Sequence, residues 1–129
     1  MRYFLLSLIF LTACTTQQVC FENSCFEVEI ADSYSEQTKG LMFQKSLDED
    51  KGMLFVYEKD DQRQFWMKDT VIPLDIIFID STNKVTQIHQ ANPCQGECEI
   101  YTGYGKYVLE LNQGTTDSIG LEIGDILII

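Results

Sequence analysis

Three features of this sequence predict a mainly β fold, a compact β-rich α+β single domain with a barrel-like antiparallel sheet and one or two short helices. Phe26, Val28 and Ile30 alternate with Glu27 and Glu29, the period of two that a half-buried strand requires. Ile76 to Ile79 is apolar at four consecutive positions, which at strand spacing covers both faces and makes this strand central. Helical signals are brief: Ser33 with Glu36 three residues on forms a capping box for a short helix ending near Gly40, and Thr116 to Ile119 reads as a single turn. At 129 residues the chain can bury one core without help from a metal.

Met1, Arg2, the apolar run Tyr3 to Leu11 and a small-residue site before Cys14 have the three parts of a secretory signal peptide. The run is shorter than the roughly 20 residues a bilayer span needs. Leu11-Thr12-Ala13-Cys14 is similar to the bacterial lipobox, which implies cleavage before Cys14 and a diacylglycerol on its sulfur. The expected division is residues 1–13 as lipoprotein signal peptide, 14–25 as lipid anchor, short linker (Thr15 to Gln18) and Cys20/Cys25 loop, and 26–129 as the domain. Thr15, in place of an aspartate after the anchor, points to the outer membrane facing the periplasm if the cell has two membranes.

Acids outnumber bases 20 to 9, a formal charge of −11, and residues 1–13 contribute Arg2 and no acid. Such a surface repels nucleic acid and anionic headgroups, leaving cationic partners open. The acids are scattered, as a solvated surface requires. The expected partners are the membrane through Cys14 and a cell-wall fragment or envelope protein, with the chain itself a monomer.

With Cys14 set aside, Cys20, Cys25, Cys94 and Cys98 are an even count in a disulfide-permissive compartment. Pairing Cys20 with Cys25 and Cys94 with Cys98 closes two small loops that Glu22-Asn23-Ser24 and Gly96 can turn. A four-thiolate zinc site and a redox dithiol are the alternatives, both disfavoured by the absence of two-residue CxxC spacing.

Past the first helix, Ser46 to Lys51 reads as a polar loop, Met53 to Tyr57 as a strand, and Glu58 to Gln62 as a turn. Phe65 to Asp69 can alternate as a further strand before Pro73 interrupts. Ser81 to Lys84 connects the central strand to Val85 to Gln90 as a hairpin. Ala91 to Gly105 reads as a long irregular loop, of the kind that tends to carry function. Tyr107 to Leu111 is a strand, and Leu121 to Ile129 a closing strand around Gly124-Asp125.

Asp75, which opens the central apolar run, is the informative oddity, because a desolvated carboxylate is expensive unless something pairs with it. Either it caps a turn after Pro73 and stays wet, or it pairs with Lys68 at a pocket floor. His89 is the single histidine, so near-neutral acid–base chemistry has one obvious candidate, with Asp75 or Asp125 as partner; a strand histidine facing solvent is the plainer reading. Asp80 and Asp125 also sit where turns favour Asp. Trp66 with Tyr101, Tyr104 and Tyr107 could offer a stacking platform for a sugar, or simply fill the β core. Met42, Met53 and Met67 could serve Cu(I), but each lies in an apolar run where Met packs against rings. No cofactor motif and no nucleotide-binding glycine loop are present, so no cofactor or metal is expected.

The ordered series Gly40-Leu41-Met42, Gly52-Met53-Leu54-Phe55, Phe65-Trp66-Met67-Lys68, Ile72-Pro73-Leu74-Asp75, Tyr107-Val108-Leu109-Glu110-Leu111 and Gly124-Asp125 resembles the bacterial and archaeal family called domain of unknown function 192. The resemblance covers about residues 26 to 129. It implies a compact, β-rich single domain and no established activity. One position departs from the family pattern: Lys-Asn-Thr reads Lys68-Asp69-Thr70 here, which replaces an amide by a carboxylate.

The expected function is that of a membrane-anchored extracytoplasmic lipoprotein acting as a non-enzymatic ligand-binding or accessory module. Its expected site lies between the Phe65 to Asp75 stretch and the Ala91 to Gly105 loop, with Trp66, Lys68, Asp75, Tyr101 and Tyr104 toward the ligand. The alternative is a small hydrolase with an acid–base site centred on Asp75 and drawing on His89 or Asp125.

Overall fold

A computed structural model describes residues 15–129. The expected signal peptide and the lipidation at Cys14 lie outside the described residues. Among those residues no helix is long and apolar enough to cross a membrane.

Six strands form one sheet: β1 (Thr16–Phe21), β2 (Ser24–Ala31), β3 (Lys51–Phe65), β4 (Leu74–Ile79), β5 (Val85–Ala91) and β6 (Tyr101–Asn112), in the order β1-β2-β3-β6-β4-β5. Two short helices, α1 (Tyr34–Lys39) and α2 (Thr115–Ile119), complete the mainly β fold. The sheet is mixed and is not closed into a barrel. β2 and β3 run parallel, because α1 carries the chain from the end of β2 back to the start of β3. The other pairs are antiparallel.

β4 lies between β6 and β5 and is buried at all six positions, as its unbroken apolar run requires. Leu74, Ile76 and Phe78 join one core cluster with Met53, Phe55, Met67 and Val108. Ile77 and Ile79 join a second, with Leu54, Leu109, Leu111, Val28 and Leu127. The sheet therefore carries a core on each face, and alternation along β4 sends Asp75 to the face of Ile77.

α1 has the capping box its sequence predicts, with Glu36 N–H donating to Ser33 Oγ at 3.2 Å and Ser33 N–H to Glu36 Oε1 at 3.1 Å. Both cysteine pairs are joined as expected, Cys20 with Cys25 and Cys94 with Cys98. The first closes the β1–β2 hairpin, where the two residues are direct cross-strand partners.

Several segments differ from expectation. Thr16 to Gln18, expected as linker, pair with Glu27 to Glu29; they are polar because β1 is an edge strand whose first three residues are exposed. Glu58 to Gln62 is not a turn but part of β3, which runs on to Phe65 through an irregularity between Val56 and Asp61. Phe65 ends that strand, so residues 66–73 form a loop. Tyr101 to Gly105, expected within the long loop, belongs to β6, and its glycines have a packing reason: a Cβ on Gly105 would run into the Ile79 backbone. The closing segment 121–129, expected as a strand, is instead held by the isolated bridges Cys20 to Ile128 and Lys84 to Ile126 and by backbone hydrogen bonds to Asn83 and Val85.

Candidate functional site

Two turns clamp onto each other over one face of the sheet. Gly40, at φ 49°, ends α1, and its N–H donates to Glu36 O at 2.8 Å. Phe43, also left-handed at φ 65°, donates its N–H to Asp69 O at 2.8 Å. On the other side Thr70 N–H donates to Met67 O at 3.1 Å, with Asp69 at φ 56° between them. Leu41 and Met67 anchor the two turns in the core. Gln37 ties α1 to the sheet, its Nε2 donating to Ala31 O at 3.3 Å and to Val56 O at 2.9 Å.

Beneath these turns lies Glu110 of β6, paired with Met53 of β3 and Ile76 of β4 and only 5% exposed. It faces a cavity of about 190 Å³ whose walls include Leu41, Phe55, Tyr57, Phe65, Trp66 and Thr70, with Gln37, Gln64 and Lys39 around them. Phe55 and Phe65 meet edge to face at 4.9 Å. Glu110 Oε2 is buried without a hydrogen-bond partner. Burial pushes the Glu110 carboxyl up to about 8, so the acid is neutral at pH 7. The Tyr57 phenol is also raised, first by burial; Arg63 acts against this and Glu110 adds to it. The Arg63 guanidinium lies 3.8 Å from the Tyr57 ring centroid and donates to Gly105 O at 3.1 Å and Lys59 O at 2.6 Å. Trp66 is 48% exposed, with Lys68 Nζ 5.3 Å from its ring. The arrangement is an aromatic-walled recess with one neutral acid on its inner wall, able to bind a small group with polar hydrogens or lone pairs.

A larger depression of about 640 Å³ lies between the β1–β2 turn and the closing segment. No unpartnered buried polar side-chain atom lines it, so the smaller recess is the better candidate.

The residues singled out in the sequence are dispersed. Asp75 is fully buried and accepts from Thr116 N–H and Thr116 Oγ1, both at 2.9 Å, so it is neither wet nor paired with Lys68. His89 is the cross-strand partner of Ile76, which puts it on the opposite face of the sheet from Asp75. Its Nε2 donates to Thr102 O at 2.7 Å, and its ring packs 5.6 Å from Tyr101 and 5.9 Å from Phe78. Asp125 accepts from Glu122 N–H at 2.9 Å and offers its backbone carbonyl to Val85, at the far end of β5 from Gln90, the partner of Asp75. Asp75, His89 and Asp125 are thus not brought together.

Tyr101 is buried in the core, and Tyr104, three residues on, is exposed. The two lie on opposite faces of β6, so they share no platform. Trp66 is at the cavity, and Lys68 stands over its ring. Glu110 is not among the site residues the sequence suggests, although a lone acid within Val108-Leu109-Glu110-Leu111 is the same kind of oddity as Asp75.

The fold and sequence have relatives. A crystal structure of a protein of unknown function from Novosphingobium aromaticivorans superposes with a TM-score of 0.81 at 33% identity, covering 95% of this chain and 91% of that one. The crystal structure of a suggested transcription regulator from Sinorhizobium meliloti gives a TM-score of 0.75 at 36% identity, covering 81% of each chain. A UPF0127 protein of Thermococcus sibiricus is 27% identical over 103 residues, 76% of this chain; the matched part spans 62% of that relative's length. The profile of DUF192, described as "Uncharacterized ACR", matches residues 16–129, and the chain belongs to this family.

Proposed function

We propose that the protein is a non-enzymatic ligand-binding module of the cell envelope, tethered through a lipidated Cys14 and binding its ligand in the Glu110 recess. One observation carries this reading: a buried carboxyl oxygen without a partner lies in the wall of a cavity whose rim includes the half-exposed Trp66. An unsatisfied buried polar atom costs about 1–3 kcal/mol, and a bound ligand can supply the missing partner.

Binding is favoured over catalysis because no hydrogen bond among the described residues joins Glu110 to Thr38, Lys39, Tyr57 or Thr70, the groups lining the recess that could serve as nucleophile or base. A hydrolase centred on Asp75 is the weaker reading, since Asp75, whose Oδ2 is taken by Thr116 and whose Oδ1 is buried without a partner, lines neither cavity and lies across the sheet from His89. Envelope placement is supported by Leu11-Thr12-Ala13-Cys14 and by two disulfides, which persist in oxidising compartments. The charge of −11 opposes nucleic-acid binding, so the transcription-regulator description of the Sinorhizobium meliloti relative is not carried over.

Trp66 is the single tryptophan, so its emission reports on the recess directly. The test is fluorescence titration of the full-length protein with muropeptides and with small fragments of each charge. A saturable response that Glu110→Leu weakens about tenfold supports the reading. No saturable response to any member overturns it.

A further inference from the structure

The walls and the acid of the recess together specify a ligand class. Phe55, Tyr57, Phe65 and Trp66 line a cavity of about 190 Å³, below the roughly 300–1,000 Å³ of sites for drug-sized molecules. An occupant is therefore a few heavy atoms, or the end of a longer chain. Aromatic faces attract cations through their quadrupole, and the attraction grows as water is excluded. Glu110 Oε2 has no hydrogen-bond partner, and once the acid gives up its proton the carboxylate only accepts, which suits a ligand with polar hydrogens. The chain as a whole, at −11, raises the local concentration of cations.

Resting on the binding reading above, we propose that the recess holds a primary alkylammonium group, its nitrogen donating to Glu110 and its methylenes against the aromatic walls. A quaternary ammonium would satisfy the rings but leave Oε2 unpaired. A carboxylate could accept the O–H of the neutral acid but would meet the negative faces of the aromatic rings.

Charged groups of the surroundings are Lys39 on the lining, Lys68 over Trp66 and Arg63 over Tyr57, with the Tyr57 phenol beside them. Lys39 and Lys68 are exposed, so solvent screens them, and the Arg63 guanidinium is turned to the Gly105 and Lys59 carbonyls. Because Glu110 is neutral in the free protein, the ammonium arrives charged and the Glu110 proton leaves to solvent, so that the bound state is an ion pair. Affinity should therefore rise about tenfold per pH unit toward pH 8 and then level off.

The test is calorimetric and fluorescence titration of the full-length protein with n-butylammonium, Nα-acetyl-lysine amide, 1-butanol, butyrate and tetramethylammonium, between about pH 6 and pH 8. Either primary ammonium should bind about tenfold more tightly than 1-butanol, with release of close to one proton at pH 7. Tighter binding of the lysine amide identifies a side chain of a protein or peptide as the source, and tighter binding of n-butylammonium a free amine; both support the proposal. Glu110→Gln, which has the shape of the neutral acid, should abolish the proton release and the preference for ammonium. If 1-butanol or butyrate binds as well as the ammonium, or if Glu110→Gln binds it unchanged, the ligand class is overturned while the recess stands as a binding site. If none of the five binds while the muropeptide series gives a saturable response, the ligand class falls and the binding reading stands; if neither series binds, both fall.

Discussion

Phe43 donates its backbone N–H to the carbonyl of Asp69 across 2.8 Å, and both residues hold left-handed backbone, at φ 65° and 56°. This one bond joins the turn after α1 to the turn after β3. The cavity over Glu110 lies beneath the joined turns. It also accounts for position 69, where Asp stands for the family's usual Asn: both tolerate left-handed backbone better than other side chains with a Cβ, and the group the clamp uses is the main-chain carbonyl.

Asp69→Asn should consequently leave stability within about 0.5 kcal/mol of the natural protein. Asp69→Val should cost about 1–2 kcal/mol, because a β-branched residue disfavours positive φ. Urea unfolding of the three proteins checks both. Equal stability of the Val and Asn variants would mean that the turn does not need this backbone conformation.

Asp75 is expected to be a structural anchor. Its Oδ2 takes both polar hydrogens of Thr116, pinning the start of α2 to β4. Asp75→Ala leaves a buried N–H and hydroxyl without their acceptor and should cost about 2–4 kcal/mol, with Asp75→Asn costing less because one acceptor oxygen remains. A double-mutant cycle with Thr116→Val should show coupling of about 1 kcal/mol or more. Additive effects would show that the Thr116 hydroxyl contact carries no stability and that the backbone N–H alone does the anchoring.

How far the fold could be read follows from where each signal resides. The α1 capping box, the alternation of β2 and the solid apolar run of β4 are local patterns, and each appears in place. β1 was missed because Thr16, Gln17 and Gln18 are polar edge residues that look like a linker. The first half of β6 is hidden in the sequence because Gly103 and Gly105 read as loop residues, whereas Gly103 leaves room for the Phe78 ring and Gly105 lets its strand pass close to the Ile79 backbone. The site was half legible. An acid interrupting an apolar strand is visible at both Asp75 and Glu110, but which acid is sealed by a helix and which opens on a recess depends on long-range register. Local sequence does not encode that choice.

Gly52 should be intolerant of even a methyl group. A Cβ there would lie 2.6 Å from Glu110 O and 2.7 Å from Leu111 Cδ2, and the first of these is backbone that cannot rotate away. Gly52→Ala should destabilise by about 1–3 kcal/mol by overpacking and should also shift the strand that carries Glu110. Chemical denaturation measures the first effect, and amide NMR shifts around Glu110 the second. Unchanged shifts would show that β3 yields and β6 does not.

Glu110 should make the fold less stable as pH rises through neutrality. Its folded-state value of about 8 lies above the 4.5 of an unperturbed glutamate, so the folded protein binds this proton more tightly than the unfolded chain does. The stabilisation is fully present below about pH 4.5, declines above it, and is lost as pH rises through about 8. The gap corresponds to on the order of 4 kcal/mol across that window. Glu110→Gln mimics the neutral acid and carries no proton to lose, so its unfolding free energy should fall less between about pH 5 and pH 8.5, crossing that of the natural protein. The difference between the two pH profiles isolates this carboxyl from every other titrating group. Parallel profiles would mean that Glu110 is solvated in the folded protein, and the recess would then be open to water at its inner wall.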